Sequence, residues 1–179
     1  FRRVLFRSEP GGTLLSEKIR KIIIKDLKNN EDNLTELLLL LASRSNHFKK
    51  ILKYLNNGYI VLCDRYLDST YVYQHYEQGQ SIDLINIIQK KIDNGHKPKL
   101  TFYIDITAKV SKQRTSKRGK PDRFDKYSMN KLNKLRSSFL KLSKKNKRIK
   151  KINGLKSPNQ IHKEIINHLL KKNVIKNIK

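Results

Sequence analysis

Asp64-Arg65, followed by Ser69-Thr70 and Tyr73-Gln74, is the part of this chain best equipped for chemistry. An Asp at a strand end can hold a hydrated Mg²⁺, and an Arg beside it can grip a phosphate through two parallel N–H···O bonds. The apolar run Tyr59-Ile60-Val61-Leu62-Cys63, with Gly58 just before it, reads as a buried strand of a parallel sheet. Asp64 and Arg65 then stand on the rim where open α/β sheets bind ligands. Taken alone, Asp-Arg reads equally well as a charged strand-to-helix turn.

The elements that must position this pair alternate. Residues 14–27 carry a helical stripe at Leu15, Ile19, Ile22, Ile23 and Leu27, broken by Asn29-Asn30. A longer helix spans 34–55 and stops at Asn56-Asn57-Gly58. Residues 69–77 read as a helix ended by Gly79, and 82–92 as another, capped by Ser81 and finished near Gly95. A strand over 100–106 leads to Thr107, a cap for the next helix. A basic helix over 128–145, a short strand over 148–152 and a last helix opening at Ser157-Pro158 complete the chain. Strands alternating with helices predict an α/β fold with parallel pairing and right-handed crossovers.

Composition narrows the classes. A length of 179 residues fits one domain, since domains typically run to roughly 100–200 residues. No apolar run approaches the ~20 residues of a membrane span. A single cysteine, Cys63, excludes an intramolecular disulfide and a cysteine-based zinc cage, and its place inside a strand suits a small buried hydrophobe. The net charge of +26 is compatible with nucleic-acid binding. The lysines, however, are spread along every helix, and no RNA- or DNA-binding signature accompanies them. Lys, Asn and Ile are all abundant and have AT-rich codons, which is a sufficient cause. The charge still attracts anionic nucleotides.

Asp64-Arg65-Tyr66 with Ser69-Thr70 and Tyr73-Gln74 forms DRY-x-x-ST-x-x-YQ, which resembles the thymidylate kinase (dTMP kinase) family. Four further stretches resemble that family in its own order. They are Glu9-Pro10-Gly11-Gly12-Thr13, Thr35-Glu36 through Arg44 and His47, Pro98-Lys99-Leu100-Thr101 through Asp105, and Arg114 with Arg118-Gly119-Lys120-Pro121-Asp122-Arg123. The resemblance implies a P-loop NTPase-like parallel sheet flanked by helices. It implies transfer of the ATP γ-phosphoryl to dTMP, giving dTDP and ADP, with Mg²⁺ as cofactor, in a cytoplasmic homodimer paired through helices, with no specific nucleic-acid partner and no membrane. A related nucleoside-monophosphate kinase is the alternative enzyme.

The same resemblance implies roles. Arg65 would bind the dTMP phosphate, with Asp64 beside it supporting Mg²⁺ through water. Arg44 would reach the thymine and phosphate region. Ser69, Thr70 and Gln74 would line the base and sugar, and Tyr73 would close on the deoxyribose face. Pro10 and Gly11 would shape the turn beneath the acceptor, and Leu40 stands where the family usually puts a Phe under thymine. Arg114, Arg118 and Arg123, on a mobile lid over about 114–127, would close over ATP and supply transition-state charge.

No G-x-x-x-x-G-K-[ST] sequence occurs among the seven glycines, and such a loop is what cradles ATP phosphates. Residues 1–8 match the translation of TTC AGA CGT GTG CTC TTC CGA TCT, which resembles a sequencing adapter; a real basic strand is the other reading. The expectations are therefore a non-native 1–8, a kinase-like domain over 9–173 and a basic tail over 174–179. The parent protein is expected to carry the P-loop strand, the P-loop and the first helix. The sheet is expected to be incomplete without them, with the strand before Asp64 short of one neighbour unless Val4-Leu5-Phe6 takes an edge, and the chain alone to be inactive.

Overall fold

A computed structural model describes residues 4–27, 33–117 and 122–175. The chain divides into two compact units, Phe1–Lys97 with Lys120–Tyr127, and Pro98–Gly119 with Ser128–Lys179.

In the first unit, β1 (Val4–Ser8) pairs in parallel with β2 (Ile60–Asp64), in register from Val4 with Ile60 to Ser8 with Asp64. Residues 4–8 thus occupy the edge that the sequence left open to them, and among the described residues β2 has no second strand neighbour. Helix α1 (Leu14–Lys25) begins where the Thr13 hydroxyl accepts the Ser16 N–H at 3.0 Å, and it buries Ile19 and Ile23. Helix α2 (Asn33–Asn56) supplies Leu37 and Leu41 to the core, where they meet Ile85 of α4 (Ile82–Asp93). Leu67, Tyr71, Ile88 and Ile92 pack around these three. Helix α4 starts at the Ser81 cap and stops where Asn94 takes a left-handed φ of 48°.

The helix expected over 69–77 is not uniform. A single α-turn, α3 (Leu67–Thr70), runs into a π-helix over Tyr71–Glu77. Val72 and Gln74 on this wider turn are both buried. Such turns are frequent at functional sites. Cys63 is half-buried rather than fully enclosed. Its thiol donates to the Arg65 carbonyl at 3.2 Å, and burial, reinforced by the Glu9 charge, pushes its pKa up to about 12. The unreactive reading of this thiol stands.

In the second unit, β3 (Thr101–Asp105) pairs in parallel with β4 (Ile149–Asn153). Helices α5 (Ala108–Ser116), α6 (Met129–Lys145) and α7 (Pro158–Lys171) pack with them. Helices α5 and α7 begin at the expected Thr107 and Ser157, α6 is capped by the Ser128 hydroxyl, and α7 closes a capping box with Gln160. Gly154 lies so close to β3 that a Cβ there would fall 2.6 Å from Ile106.

Arg136 of α6 donates to both Asp105 oxygens, at 2.7 and 3.0 Å. The Arg136 hydrogen bonds hold the Asp105 carboxyl below its usual range, against partial burial. A carboxyl with a lowered folded pKa contributes stability above its unfolded pKa, about 3.9. That contribution disappears as pH falls through the folded value. Arg136→Ala should therefore lower stability at pH 7 by under about 1 kcal/mol, since its side chain is 35% exposed. The deficit should vanish at the acid end of a urea-midpoint profile taken from pH 7 to pH 2. A deficit independent of pH would show that the pair is not its source.

Candidate active site

The turn after β1 carries the first polar group of the site. Glu9 is buried, and its backbone N–H donates to the Asp64 carbonyl at 2.9 Å, tying this turn to the end of β2. The Glu9–Pro10 peptide is cis. Gly11 and Gly12 follow with φ of 143° and 87°. A Cβ on Gly12 would sit 2.5 Å from His47 Nε2, so only glycine fits there. Pro10 offers its carbonyl to Arg20 at 3.3 Å.

Arg44 organises the centre. It is 3% exposed, and its guanidinium donates in three directions: Nε to Glu9 Oε2 at 2.7 Å, Nη1 to Gln89 Oε1 at 2.9 Å and Nη2 to Thr70 Oγ1 at 2.9 Å. The Tyr66 ring lies 4.9 Å below it. Gln89 also donates to Tyr66 and to Asp93, and the Tyr66 hydroxyl donates to Asp93 at 3.2 Å. Burial, reinforced by the Asp93 charge, holds the Tyr66 phenol well above its ordinary pKa. Arg44 and Thr70, both expected at the ligand, thus hydrogen-bond each other. His47 Nδ1 lies 3.2 Å from Glu9 Oε1, while its buried Nε2 has no hydrogen-bond partner among the described residues.

Arg65 stands at the rim. Its φ of 63° is left-handed, a conformation that costs a non-glycine residue roughly 1–3 kcal/mol and tends to occur where a site needs it. The guanidinium lies 5.3 Å from the centre of the Tyr73 ring. Desolvation opposes its charge, but Tyr73 and the Asp64 and Asp122 carboxylates outweigh that and raise its pKa. Phe124 meets Tyr73 edge-on at 6.3 Å. Ser69, Tyr73 and Leu40 are half-buried, Gln74 is buried, and Asp64 is exposed.

The arginines expected to act together are divided. Arg123 lies in the first unit and pairs with Glu36 of α2. Arg114 lies on α5 in the second unit and donates to the Gly154 carbonyl at 3.0 Å. Arg118 falls outside the described residues. Glu9, Glu36, Gln89 and Asp93 join the site only in the folded chain. Gln89 and Asp93 did carry a signal, two polar groups four apart on a helix whose stripe is otherwise apolar.

Among the described residues, Glu9, His47 and Cys63 bring one ligand atom each within 4.8 Å of one another. Nitrogen and sulfur donors do not suit Mg²⁺, which takes oxygen. Arg44 already occupies Glu9, and the thiol resists ionisation. Asp64 is the better match, because Mg²⁺ is usually bound through one or two carboxylates together with phosphate oxygens and water.

The family model for thymidylate kinase matches residues 1–165. The chain belongs to the thymidylate kinase family. Curated thymidylate kinases from Mesoplasma florum and Wolbachia pipientis are 41% and 42% identical to it, over 65% of this chain and over 56% and 58% of their own lengths. The chain therefore spans less than two thirds of the length of these curated relatives. The crystal structure of thymidylate kinase from Ehrlichia chaffeensis superposes with a TM-score of 0.71 at 32% identity, covering 93% of this chain and 80% of that one. The α/β fold is that of the thymidylate kinase family. The match to this family begins at residue 1, so it includes the strand at Val4–Ser8.

Proposed function

We propose that this chain carries the acceptor-nucleotide site of a dTMP kinase, which transfers the ATP γ-phosphoryl to dTMP and releases dTDP and ADP. The observation that carries the reading is Arg65, held over Tyr73 at the end of β2 beside an exposed Asp64. A guanidinium so placed binds the dTMP phosphate bidentately. Asp64 would hold Mg²⁺ through water, and the ion would supply charge neutralisation between the two phosphates. Gln74 and Ser69 would line the base and sugar, with Leu40 as the apolar surface under thymine. Arg114 and Arg118 would supply charge on the ATP side, whereas Arg123, expected with them, is paired with Glu36. The parent protein would act as a cytoplasmic homodimer.

Calorimetric titration of the 179-residue chain tests this. Saturable dTMP binding is expected, tighter than for the ribonucleotide, because Tyr73 would crowd a 2′-hydroxyl. Leu40→Phe should tighten dTMP by about 0.5–1.5 kcal/mol, the value of an added aromatic contact. ADP release with ATP and dTMP should stay at background, because the chain contains no P-loop sequence. Binding that tracks only the phosphate count of the ligand, with no preference for thymine, would mean a nonspecific polyanion surface and overturn the reading.

A further inference from the structure

Glu36 sits outside every role assigned so far, yet it is one of the most heavily engaged groups in the first unit. It is 4% exposed. Its Oε1 accepts from Gln74 Nε2 on the π-helix at 2.8 Å and from Gln78 Nε2, the residue just after that helix, at 3.1 Å. Its Oε2 accepts from Arg123 Nη2. The Arg123 guanidinium lies 4.6 Å from the Phe124 ring, and Phe124 meets both Tyr73 and Tyr127 edge-on. One carboxylate therefore ties together the helix that bears Gln74 and the segment that lays Phe124 on Tyr73.

The chemistry of the pairing is directional. An ionised carboxylate only accepts hydrogen bonds, so the Gln74 amide must turn its nitrogen toward Glu36. Its carbonyl oxygen is then left on the opposite side, as an acceptor. Thymine presents a donor at N3, whereas cytosine presents an acceptor there. Arg123, for its part, is nearly buried at 10% side-chain exposure, and a charge so placed needs its partner.

We propose that Glu36 is a positioning residue: it fixes the orientation of the Gln74 amide, so that thymine is preferred to cytosine, and it pins residues 122–127 over Tyr73 through Arg123. The base-selection half rests on the acceptor-site reading above; the pinning half does not. Two variants separate them. Glu36→Gln keeps the shape but frees the Gln74 amide to rotate and releases Arg123. Arg123→Gln releases the segment while leaving the carboxylate on Gln74.

Dissociation constants for dTMP and dCMP are measured by calorimetry, and backbone hydrogen exchange over 122–127 by mass spectrometry. Glu36→Gln should weaken dTMP by about 10-fold, as loss of one charge-assisted hydrogen bond would, and should shrink the dTMP-to-dCMP preference by a similar factor. Exchange over 122–127 should accelerate in both variants. Arg123→Gln should leave the base preference as it was. An equal fall in both nucleotides, or no change, in Glu36→Gln overturns base selection. Unchanged exchange in Arg123→Gln overturns the pinning, and that variant also decides the matter if Glu36→Gln does not fold. If the parent chain shows no preference for dTMP over dCMP, the acceptor reading and base selection fail together, and the exchange data still decide the pinning.

Discussion

Replacing Arg44 with Met should destabilise the first unit by about 3–5 kcal/mol, the usual cost of removing one member of a buried ion pair. Arg44 is 3% exposed and Glu9 5%. Removing the guanidinium leaves the Glu9 carboxylate facing a neutral surrounding, and it strips the Gln89 carbonyl and the Thr70 hydroxyl of their donor. Most of the loss is the desolvation of Glu9, so adding Glu9→Gln to Arg44→Met should recover a large part of it. Arg44→Lys should not, because one ammonium cannot reach in three directions as the planar fork does. Urea midpoints of the single and double variants measure this. A strictly additive double variant would mean that Glu9 and Arg44 are not energetically coupled, and that the cluster is held by its apolar surroundings instead.

Arg65→Ala should weaken dTMP binding by roughly 10- to 150-fold, the equivalent of about 1.5–3 kcal/mol for hydrogen bonds to a charged group. Arg65→Lys should recover only part, since it keeps the charge and loses the bidentate geometry. All three residues have a Cβ, so the cost of the left-handed backbone at position 65 is similar in each and does not confuse the comparison. Loss of its contacts with Tyr73 should lower stability too, so the variants are compared under conditions where each is fully folded. In a protein that also binds ATP, the same change should raise the dTMP KM and lower kcat, because a phosphate held loosely is also misaligned for transfer. An Arg65→Ala chain that binds dTMP as tightly as its parent would remove Arg65 from the acceptor site.

These two arginines show how differently sequence and structure speak. The position of Arg65 at a strand end was legible because it is set locally, while its role came from the family resemblance. An apolar β-branched run must end somewhere, and the charged pair that ends it stands on the rim. The helix starts were legible for the same reason. Ser81, Thr107, Ser128 and Ser157 each cap a backbone N–H three residues on, a contact that needs no distant partner.

Arg44 was legible as a member of a motif but not as a buried hub. Its partners come from positions 9, 70 and 89, in three separate segments, and no periodicity in α2 points to them. Glu36 belongs to the Thr35-Glu36 motif, but its partners are not legible there, because Gln74 lies 38 positions away and Arg123 lies 87. The π-helix was likewise hidden. Residues 71–77 have a helical pattern, and the widening of the turn leaves no mark on it.

The sequence by itself determined the alternation of strands and helices, their caps, and the residue types at the rim, because hydrophobic period and backbone hydrogen bonding act over a few residues. Tertiary structure alone decided which polar side chains are buried, and which of them meet. A buried carboxylate or guanidinium persists only where several segments bring it partners, and the segments that meet are set by packing across the whole unit.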